Sequence, residues 1–192
     1  MTVRRPTPSQ TVGPFYGYAL PFPEGETPAA AHHPDAVTVH GNVHDGAGAP
    51  VPDALLEFWQ PGPDGSRTGA PGSMRRSPTD AGFLGRNGTD FTGFARVATD
   101  ADGHFAVRTL PPGGVPYLSV VVFARGLLHH LHTRVYLPRA LAEAPRDALL
   151  DSLAEERRRT LLADEEGERR YRFDVRLQSD GTHEETVFLA FE

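Results

Sequence analysis

The chain has 192 residues, a formal net charge of −6 and no cysteine. This length allows one substantial hydrophobic core, and no apolar run approaches the roughly 18 residues that a membrane span needs, so we expect a single cytoplasmic domain without membrane contact. The negative charge argues against nucleic-acid binding, which needs a basic surface, and the lack of cysteine excludes disulfides and thiolate chemistry.

The N-terminal segment from Thr7 to Tyr16 has the sequence TPSQTVGPFY. Pro8 and Pro14 fix the backbone and remove hydrogen-bond donors, while Gly13 can take conformations closed to other residues. The segment is therefore predicted to be an extended arm and not a helix or a central strand. Its proline and aromatic side chains lose little entropy on docking, which favours binding to another surface.

Short apolar or alternating runs predict seven or eight β-strands. They cover residues 37–43, 54–60, 94–99, 104–110, 117–124, 131–137, 171–177 and 186–191. Asp100 to Gly103 is typical of a hairpin turn, and 186–191 is expected to close a C-terminal hairpin. The continuous apolar run at 120–123 predicts a strand covered on both faces, and Trp59 is expected to be buried with its indole N–H hydrogen-bonded.

Leucines between Ala140 and Ala163, with Pro145 as a starting residue, predict one or two short helices. The whole pattern predicts a mainly β fold: an antiparallel β-sandwich with a short helical insertion near 140–163 and an extended N-terminal arm. Within the single domain 1–192, we assign the arm and its loop to 1–36, the sandwich strands to 37–138 and 170–192, and the helical insertion to 139–169.

One connection is much longer than the usual 4–6 residues or so. Residues 61–93 are rich in glycine, proline and small polar side chains and show little periodicity. A connection of this kind is usually functional, part of an interface, or disordered.

Histidines form the first candidate site for chemistry. On a strand, His130 and His132 would face the same side, a spacing that can chelate a metal in a metalloenzyme. No nearby carboxylate is an obvious third ligand, so histidines at a strand entrance or interface are the simpler interpretation. His40 and His44 are expected on the face of their strand opposite the valines.

Other catalytic motifs are missing from the sequence. There is no G-x-S-x-G elbow, phosphate loop or dinucleotide fingerprint, and the paired carboxylates Glu165-Glu166 and Glu184-Glu185 lie in charged, exposed contexts. Taken alone, the residues predict a sandwich with a docking arm and no self-sufficient catalytic site. A stand-alone binding or interaction module therefore remains an alternative.

Five segments in register over nearly the whole chain carry a family resemblance. They are the arm, Leu56-Glu57-Phe58-Trp59-Gln60, Thr99 to Gly103, Phe123 to Gly126 with His130 to Arg134, and Tyr171 to Arg176. Together they resemble the intradiol ring-cleavage dioxygenases. The resemblance implies a non-haem ferric enzyme that opens a catechol ring between its two hydroxyls with O2. In that family two tyrosines and two histidines hold the iron, and the histidines form an H-x-H on a central strand.

This sequence departs from the ligand pattern at every expected position. Tyr117-Leu118-Ser119 stands where the H-x-H belongs, and neither tyrosine is found near Ser66-Arg67 or Gly114-Val115. Within the family, the resemblance is to chains that hold no metal and no catalytic residue. Such alpha chains pair with an iron-bearing beta chain of the same fold in a higher αβ oligomer, so Fe(III) would belong to the partner.

The resemblance also implies a role for particular residues. The active site of such a pair lies between subunits, with one wall of the substrate pocket formed by arm residues: Thr11, Gly13, Pro14, Phe15 and Tyr16. Arg134 is implied to lie near the pocket mouth, where its charge could favour the carboxylate of a small aromatic catechol acid. For Arg134, a salt bridge at a strand edge is the alternative.

Overall fold

The computed structural model describes residues 7–30, 32–67, 74–80, 82–86, 91–143 and 146–191. In chain order the strands are β1 (Val37–His44), β2 (Leu55–Trp59), β3 (Met74–Arg76), β4 (Phe83–Arg86), β5 (Phe94–Ala98), β6 (His104–Thr109), β7 (Tyr117–Phe123), β8 (Leu131–Tyr136), β9 (Asp164–Gly167), β10 (Arg170–Arg172) and β11 (Val175–Arg176). The helices are α1 (Tyr16–Ala19), α2 (Pro138–Glu143), α3 (Ala148–Ser152) and α4 (Glu155–Arg159).

Two sheets form the body of the domain. In the first sheet, β1 pairs with β6 in antiparallel fashion and with β10 and β11 in parallel, and β9 extends the sheet beyond β10. The second sheet has the order β5-β2-β7-β8 and is antiparallel throughout. The mainly β, predominantly antiparallel fold confirms the predicted fold class.

The core lies between the two sheets. Alternation directs one side chain in two inward, so Val39 and Phe105 of the first sheet meet Phe58 and Val120 of the second, all at most 2% exposed. The rings of Phe58 and Phe105 have centroids 5.8 Å apart. Burying each such side chain contributes about 1.5–3 kcal/mol, so this layer fixes the sandwich and leaves both outer faces free to differ.

The predicted hairpin at residues 94–110 is wrong, although its turn is present. The Gly103 N–H donates to the Asp100 carbonyl at 3.0 Å, and Gly103 has a φ of 70°. However, β5 pairs with β2 and β6 pairs with β1, so the turn carries the chain from one sheet to the other. Turn residues and period-two alternation are the same in both arrangements, which is why the sequence favoured the simpler hairpin.

The run at 171–177 forms two strands where one was predicted, because the chain breaks at Phe173 and Asp174. A Cβ on Gly41 would collide with the Phe173 carbonyl oxygen, so glycine lets the broken segment approach β1. There the Phe173 N–H donates to the His40 carbonyl at 2.7 Å, and the Asp174 carboxylate accepts from the Asn42 N–H at 2.9 Å.

The predicted C-terminal hairpin is also wrong. In the segment 186–191, Leu189 forms an isolated antiparallel bridge with His132 of β8, and the Thr133 hydroxyl donates to the Val187 carbonyl at 2.8 Å. The segment thus crosses to the second sheet instead of pairing along its whole length with the preceding strand.

Short helices occupy most of the predicted insertion. The Asp147 carboxylate caps α3 by accepting from the N–H groups of Leu149 and Leu150 at 3.0 and 3.1 Å. The last helix ends at Arg159, and β9 then takes up 164–167 within the segment assigned to helix. Pro145 lies outside the described residues. In the part of the chain that the structure describes, no helix has the length and apolar character to cross a membrane.

The long connection at 61–93 contains a two-stranded sheet that was not predicted. Here β3 pairs with β4 in antiparallel fashion. Residues 68–73, 81 and 87–90 lie outside the described ranges, and the role of this connection stays a prediction.

Candidate functional site

The outer face of the second sheet presents rows of side chains fixed by strand register. Trp59, Ser119 and Arg134 stand side by side across β2, β7 and β8. Along β7, inward residues are buried while the outward residues, from Tyr117 to Phe123, are only half-buried. The prediction that this strand is covered on both faces is therefore wrong for the isolated chain, whose outer face remains partly open.

Trp59 is exposed, contrary to the prediction that it is buried. Phe58 takes the inward position on β2 at 2% exposure, so alternation turns Trp59 outward, where it is 51% exposed. Its ring packs against Phe94 of β5, with centroids 4.4 Å apart. The sequence contained this signal, because two successive aromatic residues on one strand cannot both face the core.

The arm lies at the Phe123 end of this face, where it is anchored at two points. The Thr11 hydroxyl accepts from the Gly126 N–H at 2.9 Å, and the Tyr16 hydroxyl donates to the Asp53 carbonyl. Tyr16 is 8% exposed, and burial raises the pKa of its phenol. The prediction of an extended arm fails at Tyr16, which begins α1. No proline follows Pro14 in this turn, so backbone donors are free for the helical bonds.

The residues just before Tyr16 are turned away from their own chain. Gly13 and Pro14 are exposed, and Phe15 is 74% exposed. A Cβ added to Gly13 would meet no atom of the described part of the chain within 4 Å. The arm thus has two anchoring side chains, Thr11 and Tyr16, and between them a segment that exposes a glycine, a proline and an aromatic ring.

Large exposed apolar side chains gather on the arm and around the second sheet. Within the described ranges they are Phe15, Tyr18, Leu20, Trp59, Leu128 and Phe191. Phe191 packs on His132 of the outer face, with centroids 4.9 Å apart. A concentration of this kind marks an interaction surface, and we refer to these six residues as the apolar patch.

Arg134 belongs to a compact cluster on the same face. Its guanidinium lies 4.1 Å from the ring centroid of Tyr117, donates to the Tyr136 hydroxyl at 3.1 Å, and is 3.9 Å from the Asp147 carboxylate. Burial raises the pKa of Tyr136 to about 12, so this group is a neutral phenol at physiological pH.

This cluster does not fit a ferric ion. Ser119 offers a hydroxyl at a position where the ligand pattern described above has an imidazole. The guanidinium of Arg134, already cationic, lies against the ring of Tyr117 at the other such position. Among the described residues, no group of three or more histidine, aspartate or glutamate side chains is placed to hold a metal ion.

His130 and His132 are neighbours, but they form an aromatic contact. Their rings meet edge to face with centroids 4.7 Å apart, and His130 also lies 5.5 Å from the ring of Phe123. Burial, followed by the charge of His130, lowers the pKa of His132. No third ligand joins the pair within the residues that the structure describes.

The predicted site residues share one face without touching. The arm is anchored at Gly126 and Asp53, beyond the Phe123 end of β7, whereas Arg134 pairs with Ser119 four residues along the strand. At the rise of a β-strand this separation is about 13 Å. The face could therefore contribute two separate elements to one large interface. Two members of the Arg134 cluster were missed. Strand alternation could have indicated Tyr136, which lies two residues after Arg134 on β8. No local pattern links Asp147 of the helical insertion to β8.

Comparisons with known proteins identify the family. The dioxygenase family model matches residues 12–138. Over 210 residues the chain is 40% identical to the protocatechuate 3,4-dioxygenase alpha chain of Burkholderia cepacia, covering 98% of this chain and 99% of that protein. The chain belongs to the intradiol dioxygenases. A second member of this family, the protocatechuate 3,4-dioxygenase alpha chain of Pseudomonas putida, is 34% identical with 96% of each chain covered.

A solved structure agrees with this assignment to the intradiol dioxygenases. The dioxygenase domain of a dioxygenase–carbohydrate-binding fusion protein from Streptomyces sp. SirexAA-E is 26% identical, with a TM-score of 0.52 over 91% of this chain and 99% of that one. These matches confirm the family that the sequence motifs predicted. The intradiol dioxygenases are non-haem iron enzymes.

Proposed function

We propose that this chain is the alpha subunit of a cytoplasmic protocatechuate 3,4-dioxygenase of aromatic catabolism. The complete enzyme would open protocatechuate between its hydroxyls with O2 and give 3-carboxy-cis,cis-muconate. The observation that carries the proposal is the 40% identity to an alpha chain over 98% of this chain. Fe(III) would be held by a beta subunit of the same fold, and no step at the metal is assigned to this chain.

The contribution of this chain is to shape and shield the substrate pocket. Gly13, Pro14 and Phe15 face outward from an arm that is already anchored, so little further ordering is needed when they form a wall. Glycine lets the backbone approach an aromatic substrate closely, and the proline and phenylalanine exclude water. Thr11 and Tyr16 complete the wall by fixing its two ends.

The apolar patch provides the surface on which the beta subunit would dock. Its members lie on the arm and on or around the second sheet, which also carries the Tyr117 and Ser119 positions. Docking there would cover the half-buried outer side of β7 and bring the arm against the partner. Several such pairs would assemble into the higher αβ oligomer.

Arg134 is assigned an electrostatic role toward the substrate carboxylate. Its side chain is 27% exposed, and Asp147 at 3.9 Å is the carboxylate that offsets its charge. Tyr117 contacts the guanidinium through its ring and Tyr136 through its hydroxyl, so both orient Arg134 without adding a carboxylate that would offset its charge. A cation at the edge of the interface favours the entry of an anionic substrate.

Expression of the chain alone and together with an iron-bearing partner tests the proposal. Elemental analysis should find iron in the complex and none above background in the single chain. Only the complex should consume O2 with protocatechuate and form the ring-opened product. Catechol, which lacks the carboxylate, serves as the matched substrate and should be turned over less efficiently. A complex without iron and activity, or an active single chain, would overturn the assignment.

A further inference from the structure

The outer face of the first sheet carries a cluster of basic side chains on the other layer of the sandwich. Strand register places Arg108, Thr38 and Arg170 side by side across β6, β1 and β10. Directly opposed residues on neighbouring strands have Cβ atoms about 4.5–5.5 Å apart. Two long cationic side chains therefore flank one short hydroxyl side chain.

These three residues line a shallow depression of about 500 Å³, together with Arg169, Glu168 and Ala36. Its volume is in the range of small-molecule sites, roughly 300–1,000 Å³. Three guanidiniums and a single carboxylate face it, although the chain as a whole has a net charge of −6. Among these lining residues positive charge is in excess, and the neighbouring carboxylates of Glu166 and Asp35 offset part of it.

Arg108 is the least satisfied of the three arginines. Its Nε atom is buried, and within the described residues it has no hydrogen-bond partner and its side chain forms no salt bridge with a carboxylate. By contrast, Arg170 lies 3.6 Å from the Glu166 carboxylate and Arg169 lies 3.9 Å from that of Asp35. A buried donor without a partner carries an uncompensated desolvation penalty, which an added acceptor would remove.

The backbone at the rim is also unusual. Arg169 has a φ of 61°, in the left-handed region that few residues other than glycine adopt. It occupies the turn between β9 and β10, and its carbonyl accepts from the Thr38 N–H at 2.9 Å. This conformation is typical of a two-residue hairpin loop, and here the turn brings a third guanidinium to the depression.

We propose that this depression binds a small oxyanion with more than one negative charge. Arg108 and Arg170 would bind the oxyanion from two sides through their planar guanidinium donors. The Thr38 hydroxyl would donate a hydrogen bond from between them, and Arg169 would contact the oxyanion at the edge of the depression. Phosphate and small di- or tricarboxylates share this chemistry. The site is distinct from the proposed substrate wall, because it lies on the other sheet and uses none of the arm residues.

Calorimetric titration of the full-length chain in phosphate-free buffer tests the site, with inorganic phosphate and citrate as separate probes. We expect saturable binding of at least one probe, and Arg108→Gln should weaken it by about tenfold or more. Competition between the two probes shows a shared oxyanion site, whereas saturation by only one identifies that chemistry as the ligand. Heats that do not saturate with either probe at millimolar concentration would refute the site.

Two further variants keep the result interpretable. Arg159→Gln removes the same charge from an exposed position on α4, where Arg159 pairs with Glu155, and should change affinity by less than about twofold. Equal losses in Arg108→Gln and Arg159→Gln would show a general charge effect and overturn the proposal. Arg170→Gln, at a side chain that is 57% exposed, supplies the test if Arg108→Gln does not fold, and should also weaken binding about tenfold.

Discussion

The two outer faces of this sandwich differ although they share one core. On the first sheet, polar side chains bind one another: the Arg172 guanidinium pairs with Asp174 at 3.1 Å and His40 contacts Glu166 at 2.9 Å. On the second sheet Trp59 is exposed instead, and so is Phe15 of the arm. A face whose exposed groups are polar can remain in water, whereas an apolar face is stable in solution only at a cost. The difference indicates which face needs a partner.

The largest expected effect comes from placing a charge in the apolar patch. Trp59→Asp should weaken association with the beta subunit by about 100-fold, because an exposed aromatic anchor is lost and a carboxylate would be buried unpaired. Size-exclusion chromatography with light scattering on the co-expressed pair measures this. Arg159→Asp introduces the same side chain on α4, outside the patch, and should leave assembly intact. Normal assembly of Trp59→Asp would show that the second sheet is not the docking face.

A smaller effect is expected from the arm, where anchoring and wall residues can be separated. Gly13→Val should lower kcat/KM for protocatechuate by about tenfold in the assembled enzyme, since the added side chain would occupy pocket space. The melting temperature of the isolated chain should not change, because a Cβ at Gly13 meets nothing within 4 Å.

Gly17→Val is the matched control for that experiment. Gly17 is equally free of neighbours and lies in α1, outside the proposed wall. Its kinetics should match those of the unmodified enzyme. If Gly13→Val left kcat/KM unchanged, the arm would be a structural element and no part of the pocket.

Local patterns predicted the fold class and the arm, and motifs predicted the family. They could not predict which strands pair, because pairing depends on contacts between distant residues: the turn at Asp100 to Gly103 was predicted, yet its two strands belong to different sheets. Likewise, proline content predicted that the arm docks, but the inward turn of Tyr16 depends on the Asp53 carbonyl, which no local pattern places there. The Arg134 cluster needed the helical insertion to supply Asp147.

The smallest expected effect concerns the polar face and its pH dependence. Burial, together with the nearby charge of Arg170, lowers the pKa of His40, while Glu166 acts in the opposite direction and His104 adds a small lowering effect. Below a pH of about 6.5, His40 is therefore protonated in the unfolded chain but stays neutral to a lower pH in the folded chain. The free energy of unfolding should consequently fall as pH falls from about 7.5 to 5. In the neutral variant His40→Gln, the free energy of unfolding should change less between about pH 7.5 and 5, by no more than about 1–2 kcal/mol. The remaining change is due to His132, whose pKa is also lowered.

Denaturant unfolding at several pH values measures the slope of the free energy of unfolding against pH. The control variant His32→Gln, at an exposed position, should leave this slope unchanged. An identical slope for His40→Gln and the unmodified chain would contradict this prediction, since His40 would then contribute nothing to the pH dependence of unfolding.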